Sequence, residues 1–279
     1  MSKLIEILTY QERMKEMGER DSTKTRVTPL FDKLYDKDPT GVSWLARLLK
    51  LPSGGNVITN LQGCYFTIRK HGWGDDEVKL EPPVVLLSWL IRHPRPPTSG
   101  ALSNDPQKAA IRRQWIEGSE SLIAEGLRLL THNPKGENWH IFEGPTQPDV
   151  YIETDDLVVV IEGKRTEPGP TTTTKWMKGR HQMLRHLDCA WEIRGNKKVV
   201  GFFIVEGQGK SGDVPPDWLT YAKELVSPDV IKKSLPHRGP EEQAQIAAAF
   251  VGVTTWQKVC QEFRDLGLEY LKLPDEVNK

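Results

Sequence analysis

The chain has little cysteine, no long apolar run and no excess of either charge. Its three cysteines, Cys64, Cys189 and Cys260, lie far apart and form no paired motif. This spacing argues against a disulfide framework and against a cysteine-based zinc site, and it suits a reducing compartment. The 38 acidic and 38 basic residues balance, so the overall charge predicts no polyanionic partner. Any such attraction must come from local clusters of charge.

The missing apolar runs also bear on location. No long apolar segment follows the basic Lys3, so no secretory signal is predicted. The most apolar stretch, Val84 to Ile91, is far too short to cross a bilayer. We expect a cytoplasmic protein without a membrane partner.

Apolar spacing indicates an alternation of helices and strands. Helices are predicted over 3–17, after Thr40, from Pro82 to about His93, over 106–131 and over roughly 174–192. Strands are predicted at 64–68, 138–142, 147–153, 157–164 and 199–205. The order across 106–206 favours an α/β fold around a mixed sheet. The predicted division is a mainly helical region at 1–105, a core at 106–212 and a helical region at 213–279.

Two of these strands form a hairpin that ends in charged residues. Glu162 and Lys164 are two residues apart on the second strand, so their side chains project to one face. Asp149 opens the first strand and can fold back beside them. Two carboxylates and an ammonium at the end of a buried apolar strand are costly unless they bind a cation. A metal site is therefore predicted here.

The residues Pro148-Asp149 followed by Glu162-Gly163-Lys164 resemble the signature of the PD-(D/E)xK nuclease superfamily, which includes restriction endonucleases, resolvases and phage exonucleases. The resemblance covers about 106–206. It implies a restriction-endonuclease-like three-layer core around a mixed central sheet, with flanking helical regions. It also implies that Asp149, Glu162 and the Gly163 carbonyl hold Mg²⁺, for which Mn²⁺ can substitute, and that Lys164 orients or deprotonates the attacking water.

Two further residues are candidates for supporting the site. Glu120 lies on the helix predicted before the hairpin, where many members of the superfamily carry a metal-facing glutamate; a solvated helix acid is the alternative. Gln182 resembles a glutamine on the following helix of exonuclease-like members. Those members carry tyrosine four residues later, where this chain has His186, a departure from that branch.

Basic residues after the motif are the expected nucleic-acid contacts. They recur at helical spacing and predict a basic stripe that neutralises phosphates, whereas a solvated helix face is the alternative; the residues are Lys175, Lys178 and Arg185. Arg180 would enlarge this positive region. Arg165 is a further candidate for holding a phosphate, or else an exposed structural cation. Glu167 borders the motif and is assigned no role.

The function expected from the resemblance is metal-dependent hydrolysis of phosphodiester bonds in nucleic acid. A DNA endonuclease of restriction, defence or repair type fits best, and the flanking regions would select substrate or form a homodimer. Two alternatives stay open: a catalytically silent nucleic-acid-binding module with the same fold, and a protein-interaction scaffold in which the hairpin charges are incidental. The presence of all three motif residues favours the enzyme.

Overall fold

The computed structural model describes residues 22–55, 63–209 and 211–267; the helix predicted over 3–17 lies outside them. In this part of the chain the centre is a mixed six-stranded sheet, and β5 and β6 form a separate small hairpin. The strands are β1 (Ser53–Gly54), β2 (Lys70–Trp73), β3 (Val150–Glu153), β4 (Leu157–Gly163), β5 (Thr173–Thr174), β6 (Met177–Lys178), β7 (Lys198–Val205) and β8 (Phe250–Thr255). The predicted hairpin and the predicted strand at 199–205 are thereby confirmed.

The strand order β1-β8-β7-β4-β3-β2 brings five strand ends to one edge of the sheet. β4, β7 and β8 run parallel, whereas β2 pairs with β3, and β3 with β4, in antiparallel fashion. The end of β2, the start of β3 and the ends of β4, β7 and β8 therefore meet. Val150 pairs with Ile161, which places Asp149 beside the end of β4.

Helices cover both faces of the sheet. They are α1 (Thr28–Lys37, preceded by a wider helical turn at Thr23–Val27), α2 (Leu45–Leu48), α3 (Val84–Arg92), α4 (Pro106–Ile116), α5 (Glu120–His132), α6 (Gln182–Ile193), α7 (Pro216–Leu225), α8 (Pro228–Ser234), α9 (Pro240–Ala248) and α10 (Trp256–Glu262). Short 3₁₀ turns lie at Gly74–Asp76 and Arg264–Leu266. Several helices begin with proline, whose fixed φ suits the first helical position. The predicted helices after Thr40 and between Pro82 and His93 are confirmed as α2 and α3.

The apolar run of β4 explains why the sheet has helices on both sides. All residues of β4 are buried, and alternate side chains enter different cores. Val158 and Val160 pack in a core with α6 residues, whereas Val159 and Ile161 pack in a core with α1 and Trp256. A strand buried on both faces reads as a continuous apolar run. The expected α/β class with a mixed sheet is confirmed.

The segment between β2 and β3 differs from its prediction. The helix predicted over 106–131 is two helices, α4 and α5, because the chain turns at Gly118 with φ of +89°, a conformation that glycine adopts readily. No strand forms at 138–142. Phe142 packs instead with Trp115 and Trp176 in a third apolar core that includes α3 and α5 residues.

The sheet is also not confined to 106–212. The strand predicted at 64–68 is absent, and the next segment, Lys70–Trp73, forms β2 because the free edge of β3 pairs with it. The region predicted as helical after 213 contributes β8, whose buried apolar residues pair with β7. β1 adds a third strand from the flanks. The predicted boundaries at 105 and 212 therefore cut through one sheet.

Among the helices of the described segments, none combines the length and the apolar character needed to cross a membrane.

Candidate metal-binding and catalytic site

The three motif side chains meet at the shared sheet edge. The Asp149 carboxylate accepts a hydrogen bond from the Gly163 amide at 2.7 Å. The Glu162 carboxylate lies 3.0 Å from the Lys164 ammonium. Asp149 and Glu162 line one cavity of about 500 Å³. The grouping predicted from the hairpin is present, and the roles of its members stay predictions.

Gly163 faces away from this cavity, as strand alternation requires. A Cβ atom here would lie 2.9 Å from both Trp256 and Val27, so the end of β4 can pack against α10 and the helical turn before α1 only as glycine. The Gly163 carbonyl accepts a hydrogen bond from the Ser22 hydroxyl at 3.3 Å. The other Asp149 oxygen accepts one from Thr23, also at 3.3 Å. The turn before α1 thus adjoins two of the three predicted metal ligands.

The two carboxylates differ in their ionisation. Burial, followed by the negative charge of Glu162, raises the pKa of Asp149 to about 8. Burial would also raise the pKa of Glu162, but hydrogen bonding to His186 and the charge of Lys164 outweigh it and hold that pKa below its usual value. Near neutral pH the metal-free pair therefore carries less than two negative charges. Oxygen donors of this kind suit a hard divalent cation, which would displace the remaining proton.

Lys164 is held as a cation in a fixed position. Burial would lower its pKa, but the charges of Glu162 and Glu167 outweigh it and raise the pKa above its usual value. Its amide donates to the Ile204 carbonyl at 2.8 Å, and its carbonyl accepts from the Trp256 indole at 3.1 Å. The ammonium can therefore donate hydrogen bonds and offset negative charge at one place.

Two α6 side chains orient Glu162. Gln182 donates to one carboxylate oxygen at 2.6 Å, and His186 bonds the other at 3.0 Å. The second ring nitrogen of His186 lies 3.0 Å from the Thr146 hydroxyl. The predicted support from Gln182 matches this contact, whereas the role of His186 was missed. Its spacing of four residues from Gln182 put both on one helix face and was the available signal.

Glu77 is a second residue that the sequence did not reveal. It follows β2 and lines the same cavity as Asp149, whose pKa its negative charge helps to raise. Only the pairing of β2 with β3 brings it to this edge. The site therefore offers a third carboxylate nearby.

Glu120 is not brought to the site. It is the exposed first residue of α5, which packs on α3 and α4 in the segment between β2 and β3, and it is not among the residues that line the cavity. The helix adjoining this edge of the sheet is the one over 23–37, whose Thr23 contacts Asp149.

The predicted basic stripe on α6 is wrong in its geometry. Lys175 and Lys178 are exposed but lie around the β5–β6 hairpin, before α6 begins at Gln182. Arg185 does lie on α6 and lines the cavity, where it donates to the carbonyls of Gly144 and Pro145.

Two other arginines have different environments. Arg165 lies near the turn before α1, where it donates to the Thr25 hydroxyl at 3.4 Å. Arg180 does not enlarge a positive surface, because it is fully buried and paired with Glu143 and Asp188.

Within residues 22–55, 63–209 and 211–267, no group of three His, Cys, Asp or Glu side chains is arranged to hold a metal ion. A cation at this edge would therefore rely on two carboxylates, the Gly163 carbonyl and non-protein ligands, a pattern that Mg²⁺ commonly uses.

Comparisons with protein-family models, with curated proteins and with solved structures found no match to this chain. The superfamily resemblance accordingly stays a hypothesis that depends on the motif and on the geometry of the sheet edge.

Proposed function

We propose that this chain is a divalent-metal-dependent nuclease of the PD-(D/E)xK type, with a restriction-endonuclease-like core, and that DNA is its substrate. The observation that carries the proposal is the meeting of Asp149, Glu162 and Lys164 at one sheet edge. The carboxylates of Asp149 and Glu162 line one cavity, and the Lys164 ammonium lies 3.0 Å from the Glu162 carboxylate.

The topology supports the same proposal. A helix at 23–37 precedes the antiparallel strands β2, β3 and β4, and α6 then leads to β7, which runs parallel to β4. The resemblance implies this order: a leading helix, a strand, the acidic hairpin, a crossing helix and a further strand. It extends over 23–205 rather than 106–206, because helices α3 to α5 are inserted between β2 and β3.

The donor set fits Mg²⁺ or Mn²⁺. Asp149, Glu162 and the Gly163 carbonyl would hold the ion with hard oxygen atoms. The raised pKa of Asp149 reflects burial beside a second carboxylate, which a divalent cation would compensate. When bound, such an ion supplies Lewis acidity that activates water and offsets charge on the phosphate.

The chain's own residues position the reacting groups. Lys164 places a compact positive charge where it can donate a hydrogen bond to the attacking water or to a phosphate oxygen. Gln182 and His186 hold both oxygens of Glu162, so that carboxylate keeps one orientation. Arg185 lies on the cavity wall, where its guanidinium can contact phosphate.

A cleavage assay tests the proposal. The full chain is incubated with Mg²⁺ or Mn²⁺ and with duplex, branched and single-stranded DNA and RNA. We expect metal-dependent cleavage of DNA, reduced roughly 10³-fold or more in Asp149→Ala and Lys164→Ala, while circular dichroism and the unfolding midpoint show that both variants fold. Undiminished cleavage in both variants would refute the site. Binding of nucleic acid without cleavage by the wild type would instead support the silent module.

A further inference from the structure

We propose that the loop Lys164–Glu167 binds a phosphate group of nucleic acid and that the Glu167 carboxylate occupies this place in the free protein. This inference deepens the proposed nuclease function and rests on it for the source of the phosphate. The anion site itself follows from the contacts of the loop.

The Glu167 carboxylate makes the contacts of a bound anion. One of its oxygens accepts hydrogen bonds from two consecutive main-chain amides, those of Arg165 at 2.9 Å and Thr166 at 3.1 Å. The other lies 3.9 Å from the Lys164 ammonium. Successive amides that point to one place form an anion-binding concavity, which a phosphate oxygen can use as readily as a carboxylate.

The Lys164 donor is more firmly held than the Glu167 carboxylate. The loop starts at the sheet edge, where main-chain hydrogen bonds to Ile204 and from Trp256 hold Lys164. The Lys164 side chain is 13% exposed, whereas that of Glu167 is 44% exposed. Glu167 can therefore swing into solvent while the Lys164 ammonium and the start of the loop keep their positions.

Space for a ligand lies next to these donors. The loop lines a cavity of about 270 Å³, together with residues at and after the end of β7 and with Trp218. Two other acids line it. Glu206 is bonded by Arg26 at 3.0 Å and by Gln257 at 2.6 Å, and Asp217 is exposed at the start of α7. Of the three acids that line this cavity, Glu167 accepts the hydrogen bonds from the Arg165 and Thr166 amides.

The loop site adjoins the predicted catalytic centre. Lys164 lies 3.0 Å from Glu162 and 3.9 Å from Glu167, so one ammonium borders both places. A nucleic-acid strand with one phosphate at the metal-facing carboxylates would bring a neighbouring phosphate to the loop. Inorganic phosphate and a terminal 5′-phosphate share this chemistry.

The test compares Glu167→Gln with Asp217→Asn. Each variant removes one negative charge from the same cavity, but only Glu167→Gln removes the carboxylate from the amides. Inorganic phosphate is titrated into ¹⁵N-labelled protein without divalent metal, and the amide resonances of Arg165 and Thr166 are followed. We expect saturable shifts in Glu167→Gln at roughly five-fold lower phosphate than in the wild type or in Asp217→Asn, on the order of the difference that one local charge makes.

Fluorescence anisotropy then extends the test to oligonucleotides in EDTA. Glu167→Gln should bind duplex DNA more tightly, and log affinity should fall with log salt by up to about 0.9 more steeply, because the loop contacts its phosphate fully once no carboxylate competes for the amides. Asp217→Asn should keep the wild-type slope. Tighter binding of a 5′-phosphorylated than of a 5′-hydroxyl strand would identify a terminal phosphate, and equal binding an internal one.

Unshifted Arg165 and Thr166 amides, or equal effects of the two variants, would overturn the inference. The nuclease proposal is tested separately. If phosphate shifts the amides but no nucleic acid is cleaved, the loop site stands and the nuclease function fails. If cleavage depends on Asp149 while the amides do not respond, the loop site alone fails.

Discussion

Helix α6 contributes to two clusters of buried charge that are built in opposite ways. The motif cluster, at the sheet edge, comprises Asp149, Glu162 and Lys164, with Gln182 and His186 supplied by α6. The ion network comprises Arg180, Glu143, Asp188, His237 and Arg238, with Asp188 supplied by α6. The two clusters show what separates a structural carboxylate from one that is available to a ligand.

Asp188 is saturated by cations of the protein. Its fully buried carboxylate accepts hydrogen bonds from Arg180 at 2.7 Å and Arg238 at 2.9 Å, and His237 lies 3.0 Å away. Burial would raise the pKa of Asp188, but the charges of Arg180, His237 and Arg238 outweigh it and hold that pKa well below its usual value. Nothing is left for a further ligand to neutralise.

Asp149 shows the opposite balance. The Asp149 carboxyl accepts hydrogen bonds from an amide and a hydroxyl, and its pKa rises to about 8 because of burial and the charge of Glu162. The pKa of a buried carboxyl group falls where cations of the protein outweigh the effect of burial, and it rises where they do not. Carboxyl groups that line a cavity and have a perturbed pKa are candidates for a functional role. The motif cluster meets both conditions and is therefore the better candidate for a catalytic site than the ion network.

Breaking the ion network should have the largest effect on folding. Asp188→Asn leaves two buried arginines without their shared anion, and we expect a loss of about 3–5 kcal/mol in the free energy of unfolding, measured by urea denaturation. The control is Asp265→Asn, because Asp265 is an exposed acid paired with Arg47; it should leave the free energy of unfolding nearly unchanged, since solvent screens an exposed ion pair. Equal losses in the two variants would show that the network is not the stabilising feature.

The raised pKa of Asp149 should make the free energy of unfolding depend on pH. The pKa of Asp149 is about 8 in the folded protein against 3.8 for an aspartate in the unfolded chain, so between these two pH values the folded state holds a proton that the unfolded state has lost. This contribution to stability is complete below about pH 4 and is lost as pH rises toward 8. The slope is up to about 1.4 kcal/mol per pH unit.

Urea unfolding of metal-free protein between pH 5 and 8 measures this slope. Asp149→Asn should flatten it relative to the wild type, because the variant has no proton to release at that position. Parallel curves for the two proteins would mean that the Asp149 carboxyl is not perturbed.

Two glutamates give the smallest but most local comparison. Glu77→Gln removes a charge from the cavity and should weaken Mg²⁺ binding and cleavage about 10-fold, in the range of residues that tune a metal site from outside its ligands. Glu120→Gln should leave both within about two-fold, because Glu120 is exposed on α5. Calorimetry and cleavage rates measure the effects. A loss in Glu120→Gln with none in Glu77→Gln would restore the assignment made from sequence.

The parts of the site that could be predicted are local in sequence. The hairpin of β3 and β4 was predictable because alternation and a polar turn specify it, and it alone brings Asp149, Glu162 and Lys164 together. Strand β2 and the nearby Glu77 were missed, because β2 can be recognised only once its pairing with the edge of β3 is known.

Charge patterns were the least reliable signal. Arg180 stands among basic residues along the chain, which favoured an exposed positive surface, yet Glu143 and Asp188 enclose it in the fold. Charge along a sequence does not report which opposite charges arrive from distant segments.

By itself, the sequence determined the apolar strands, the hairpin, the glycine at the end of β4 and the identity of the motif residues, because these depend on neighbours within a few positions. The tertiary structure alone decided which carboxylate received cations and which kept a proton. That outcome depends on desolvation and on contacts between segments far apart in the chain, and neither can be read from local pattern.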